Sequence, residues 1–229
     1  MTDLIRSIRE RDPAKPGFFE VIFAYPGYHA VSMHGVSSFL WRYNFRTPAR
    51  IWAHLARLVS GIEIHPAAKI GERLFIDHGM GVVIGETSEI GDDVTLYHGV
   101  TLGGRGGRDD EGKRHPTLES EVMIGAGAQV LGPVTIGRRA RVGANAVVIR
   151  DVPPGCTVVG NPGRLVKCPQ QKAAYGFPDE TVPDPVGETI TAMLEDIKDI
   201  KAKLNIVDEK PSQDSRRSDY IDLWKGSGI

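Results

Sequence analysis

Cysteine is all but missing. Only Cys156 and Cys168 occur among 229 residues, with no CxxC pair, which argues against a disulfide framework and against a thiolate metal site. A reducing cytoplasm is the compartment expected from that scarcity. No run of about 18 apolar residues occurs either, so no membrane-spanning helix is expected. The N-terminus, MTDLIRSIRERDP, is charged where a signal peptide would be apolar. Neither sign of charge dominates: 28 Lys and Arg against 29 Asp and Glu leave a net charge of −1, so no nucleic-acid partner is expected. With 25% charged and 41% hydrophobic residues, the composition is that of an ordinary globular chain.

What the chain does have is a period of six, from Ile64 to Val148. Ile64, Ile70, Ile76 and Val82 form a first run. Ile84, Ile90, Leu96 and Leu102 form a second, displaced by two residues. Leu118, Ile124, Val130, Ile136, Val142 and Val148 form a third, after an interruption. Glycine often follows the aliphatic, as at Gly71, Gly85, Gly91, Gly103, Gly125, Gly137 and Gly143. A small or apolar residue precedes it by two, as at Ala68, Ser88, Val94, Ala128 and Ala146. A helix repeats at three or four and a half-buried strand at two. An ordinary antiparallel domain has no reason to hold a six-residue phase. The pattern predicts a left-handed parallel β-helix of hexapeptide type, three short strands closing one triangular coil of roughly 18 residues.

Three regions follow. Residues 1–60 read as a helical domain. A helix capped by Thr2 ends before Asp12-Pro13, because the residue before proline is pushed out of the α region. Residues 18–43 are apolar and broken at Pro26-Gly27. Ile51, Trp52, Leu55, Leu58 and Val59 recur at helical spacing. The plain reading of these helices is a packed cap on the open end of a repeat stack. Residues 61–169 are the β-helix, interrupted by an excursion over 104–117, whose residues 105–117 read RGGRDDEGKRHPT with no aliphatic in register. A charged, glycine-rich excursion of that length adds no core and usually serves function. Residues 170–229 begin as a proline-bearing linker. Ile190, Met193, Ile197, Ile200, Leu204 and Val207 then alternate in threes and fours over 188–207. That spacing fits a trimeric coiled coil and equally a helix lying on the β-helix wall. A polar tail follows, expected to be disordered.

Four histidines stand out on the repeat: His65, His78, His98 and His115. They fit either a zinc site of the β-helical carbonic anhydrase kind, with three converging imidazoles, or a general base oriented by a carboxylate. His78 follows Glu63 by 15 residues, within three of an 18-residue coil, so the two can approach on adjacent coils. Asp77 points differently from its neighbour. Arg114 beside His115 suits a carboxylate, which a guanidinium fork recognises. His98 has no partner at coil spacing, and His65 and His98 read as structural or surface residues. No metal is expected.

The text around these residues resembles one family. EIHPAAKIG, IDHGMGVVIGET, VTLGG, the KRHP loop, VMIGAGAQVLG and GNPGR, with RERDPA at 9–14 and PGYHA at 26–30, look like the serine O-acetyltransferases of cysteine biosynthesis. The resemblance implies acetyl transfer from acetyl-CoA to the hydroxyl of L-serine. It implies His78 as general base and Glu63, where the family often has Asp, as its orienting acid. Asp12 and Asp77 would hold the substrate ammonium, and Arg114 and His115 its carboxylate. Gly104 would offer its N–H to the developing oxyanion. Ala126 and Ala144 would line the pantetheine arm, with Arg164 and Lys167 at the CoA phosphates. The resemblance also implies a homotrimer with each site between neighbours. Finally, it implies a C-terminal isoleucine, here Ile229, that inserts into O-acetylserine sulfhydrylase. The rival expectations are a hexapeptide acetyltransferase for another hydroxyl or amine acceptor, and a metal-dependent hydratase.

Overall fold

The computed structural model describes residues 2–105 and 112–168, together with positions 193, 196 and 200. The chain divides into two compact units, Met1–Lys172 and Ala173–Ile229. The first begins with four helices, α1 (Thr2–Arg11), α2 (Phe18–Ala24), α3 (Pro26–Arg42) and α4 (Arg46–Ser60). Pro26 starts α3 at a position where its missing N–H costs nothing. Among the described residues no helix is long and apolar enough to cross a membrane.

Among the described residues fifteen short strands follow on three faces, paired in parallel except for the last. The first face holds Glu63–Ile64, Val83–Ile84, Thr101–Gly103, Gln129–Leu131 and Val147–Val148. The second runs from Lys69–Ile70 to Thr135–Ile136. The third runs from Phe75–Ile76 to Thr157–Val159 and ends on Arg164–Lys167. The inward aliphatics form one column: Ile64, Ile84, Leu102, Val130 and Val148 on the first face are all at most 5% exposed. Burying each such side chain contributes about 1.5–3 kcal/mol before the entropy of ordering it. This is the coil that the six-residue phase predicts.

The coils are not all of one length. Val83 stands opposite Thr101 and Thr117 opposite Thr135, steps of 18. Glu63 stands opposite Val83, a step of 20, because two extra residues are inserted between Asp77 and Val82. Thr101 stands opposite Gln129, a step of 28, which places ten inserted residues in the excursion.

The helices close one end, but not with the face that the periodicity selects. Leu4, Ile5 and Ile8 of α1 and Val21 of α2 are buried against Phe75. At Gly27 of α3 a Cβ would come 2.2 Å from the Ile76 carbonyl, so only glycine lets the helix approach that coil. In α4, however, Ala49, Ala56 and Ser60 are the buried residues. Ile51, Leu55, Leu58 and Val59 are 44–69% exposed. The cap reading fails for that stripe: hydrophobic spacing marks a face but not what covers it.

The cysteines also depart from expectation. Cys156 and Cys168 form a disulfide, with Cα atoms 4.1 Å apart. The cause is the last strand, which returns antiparallel and pairs Lys167 with Thr157, bringing the two flanking residues together. The heptad seam expected over 188–207 and the tail through Ile229 lie outside the described residues, apart from helical positions 193, 196 and 200.

His34 of α3 is 8% exposed, and among the described residues its Nε2 has no hydrogen-bond partner. Burial pulls its pKa down to about 4, so it folds neutral, while the unfolded chain binds a proton below about 6.5. Its contribution is therefore complete above pH 6.5 and is lost as pH falls towards about 4, a change of up to roughly 3 kcal/mol. Urea titrations at pH 7 and pH 4.5 should show a smaller acid loss for His34→Gln than for the parent. An equal loss in both would acquit His34.

Candidate active site

The corner between the third and first faces carries most of the predicted chemistry. His78 lies in the lengthened turn and adopts φ 58°, a left-handed conformation that is costly for a side chain with a Cβ and clusters at functional sites. Its ring stands edge-on to His98, with centroids 5.9 Å apart. His98 therefore has a partner at coil spacing, and the step is 20 rather than 18. Following the register downwards, Thr95 pairs with Met123 and Met123 with Arg141, which sets His98, Ala126 and Ala144 in one column. Val147 N–H bonds the Gly160 carbonyl, so the column ends on another small residue, close to Arg164. Two imidazoles thus head a surface column of side chains no larger than methyl.

Asp12 reaches this corner because Arg11 fastens the end of α1. The Arg11 guanidinium donates to the carbonyls of Arg73, Asp93 (3.0 Å) and Val94 (3.3 Å) and to Thr95 Oγ1. It also lies over the Phe75 ring. Asp12 Oδ1 accepts the Ala14 N–H at 2.8 Å, and Oδ2 accepts the Tyr25 hydroxyl at 2.6 Å. Burial, then Asp12, Glu20 and Asp77 push the Tyr25 phenol well above its ordinary pKa. Asp12 and Asp77 thus both bear on Tyr25, and their charge favours a cation beside it. Neither Arg11 nor Tyr25 was singled out by sequence, where they carry no spacing signal.

Glu63 lies one stacked turn from His78: Gly81 N–H bonds the Gly61 carbonyl at 3.0 Å. Among the described residues no hydrogen bond joins Glu63 to His78. The carboxylate instead accepts from Arg57 at 2.7 Å, an exposed pair.

A second group occupies the opposite corner, between the first and second faces. Here the excursion returns, and Arg114 Nη2 meets Glu86 at 3.0 Å. His115 is 7% exposed and lies flat against Gly85, where a Cβ would fall 2.0 Å from the ring. Burial, then the charge of Arg114, lowers its pKa, so the imidazole is held neutral. Its Nε2 faces Gly104. His65 lies at this corner too, edge-on to Trp41 at 4.9 Å, consistent with a structural place.

The predicted residues therefore fall into two sets. Asp12, Asp77, His78, Ala126 and Ala144 share one edge of the first face, with Glu63 beside it. Gly104, Arg114 and His115 share the other. Val82 to Gly85 separates them, roughly 10 Å at about 3.3 Å per residue. Arg164 and Lys167 lie in the last strand. Among the described residues no three His, Cys, Asp or Glu side chains gather as a metal cage would require.

Three-faced coils of six-residue repeats, with two imidazoles over a column of small side chains, are those of a hexapeptide-repeat protein, and the model of the bacterial transferase hexapeptide (six repeats) matches residues 115–150. The serine acetyltransferase of Mycobacterium tuberculosis is 52% identical over 198 residues, covering 86% of this chain and 85% of its own length. That of Bacillus subtilis is 44% identical, covering 91% and 95%. The solved soybean serine acetyltransferase complexed with serine superposes with a TM-score of 0.68 at 46% identity, over 71% of this chain and 66% of that one. The chain belongs to the serine acetyltransferase family.

Proposed function

We propose that this chain transfers the acetyl group of acetyl-CoA to the hydroxyl of L-serine, giving O-acetyl-L-serine and CoA, with His78 as general base. This is the first step of cysteine biosynthesis from serine. The observation that carries the assignment of roles is the corner column, in which His78 and His98 lead into Ala126 and Ala144 with Asp12 and Asp77 at its head. His78 takes the serine hydroxyl proton as the oxygen attacks the thioester carbonyl, since the hydroxyl alone is a poor nucleophile at neutral pH. The Gly104 N–H of a neighbouring copy, on the same edge as Arg114 and His115, meets the negative charge that develops on the carbonyl oxygen. The C–S bond then breaks, and the proton held by His78 passes to the departing sulfur. Glu63 orients His78 once it leaves Arg57, which costs little because exposed ion pairs are worth about 0–1 kcal/mol.

Asp12 and Asp77 hold the serine ammonium, and Arg114 with His115 holds the carboxylate. Ala126 and Ala144 leave room for the pantetheine arm, and Arg164 and Lys167 take the CoA phosphates. Serine is smaller than the gap between the two residue sets, so the carboxylate clamp has to come from a neighbouring copy in a homotrimer. A cytoplasmic location and capture of Ile229 by O-acetylserine sulfhydrylase complete the reading. The test is thiol release from acetyl-CoA against a panel of hydroxyl and amine acceptors. Release with L-serine well above every other acceptor supports the assignment. A preferred sugar or amine would replace serine with that acceptor.

A further inference from the structure

Thr87 faces the excursion with every polar atom it has. Its Oγ1 accepts the backbone N–H groups of Arg114 and His115, both at 3.0 Å. Its N–H approaches His115 Nδ1 at 3.2 Å, and its Oγ1 lies 2.9 Å from the same nitrogen. Its carbonyl accepts Lys113 Nζ at 3.1 Å. With two N–H groups pointing at the oxygen, the hydroxyl proton is left for Nδ1. That nitrogen then accepts from both Thr87 groups and carries no proton of its own. In a neutral imidazole the proton must therefore sit on Nε2, the atom that faces Gly104.

We propose that Thr87 is the positioning residue that fixes His115 as an Nε2–H donor to the carboxylate of the acceptor amino acid. It rests on the reading above that His115 binds that carboxylate. The excursion has no aliphatic in register to hold it, so side-chain hydrogen bonds must supply its placement. Thr87 supplies them at the residues that matter, and a neutral donor of fixed tautomer needs no proton from solvent to do its work.

Three variants test this by steady-state kinetics. Thr87→Val keeps the shape and removes the hydroxyl, and Thr87→Ser restores it. His115→Ala tests the underlying reading. The expected result for Thr87→Val is a KM for serine raised about tenfold, with the KM for acetyl-CoA, the melting temperature and kcat close to the parent, and with Thr87→Ser back near the parent. If His115→Ala raises the KM for serine and Thr87→Val does not, the positioning role is overturned while the carboxylate reading stands. If His115→Ala leaves it unchanged, the carboxylate reading fails and takes the inference with it. A rise in both KM values, or a Ser variant as impaired as Val, would mark Thr87 as a packing residue and overturn the proposal.

Discussion

Replacing His78 with Ala is expected to cut kcat by about a hundredfold to ten-thousandfold, the range that a positioned general base supplies. The size follows from the chemistry. The thioester already has a good leaving group, so the barrier lies in making a serine hydroxyl nucleophilic, and that needs a base within hydrogen-bond reach. His78 is exposed at the head of the small-residue column, and its own φ is positive where the left-handed residue of the later coils is the next one along, Gly99, Gly127 or Asn145. The side chain nearest in kind is His98, 5.9 Å away between ring centroids. The KM for acetyl-CoA should change little, because the proposed arm contacts, Ala126 and Ala144, lie further down the column. Thiol release under saturating substrates measures this directly. Near-parental turnover for His78→Ala would remove His78 from the mechanism; if His98→Ala alone then abolished turnover, the base would be the neighbouring imidazole.

The pairing of two imidazoles shows how far sequence reaches. The coil was legible because burial enforces it: one aliphatic at each sixth position points inward, and Leu96, Leu102, Ile124 and Ile136 are fully buried. A fixed 18-residue step hides the neighbour of His98, since two extra residues beside His78 stretch the first coil to 20. The same arithmetic applies to Thr87, which meets His115 across 28 residues because ten belong to the excursion. Side chains that hold the site, such as Arg11, Tyr25 and Arg57, work through single long-range contacts and leave no periodic mark. The Cys156–Cys168 pair depends on an antiparallel return in a region where the repeat predicts only parallel strands. Electrostatics are similarly silent in the text. That Arg114 is met by Glu86 and that Asp12 is fastened by Tyr25 follow only once the coils are stacked.

Mixing two inactive variants should restore activity. His78 and the Arg114–His115 clamp lie on opposite edges of the first face, separated by a strand that the chain cannot fold away. In the proposed homotrimer one copy's His78 corner would stand against the next copy's Arg114–His115 pair, and such heterologous contacts close naturally into rings. One variant carries His78→Ala, and the other carries Arg114→Ala with His115→Ala. Each alone forms sites that all lack a component. Co-expressed with different tags and purified through both, they form mixed trimers. In these, one contact joins the intact base of one copy to the intact clamp of another, so about a third of the sites are complete. Activity at subsaturating serine should then rise from near background to about a third of the parent. If the mixture shows no more than the average of its two parents, each site is built within one chain. Serine would then have to be held without the excursion, and the separation of the two corners would need another purpose.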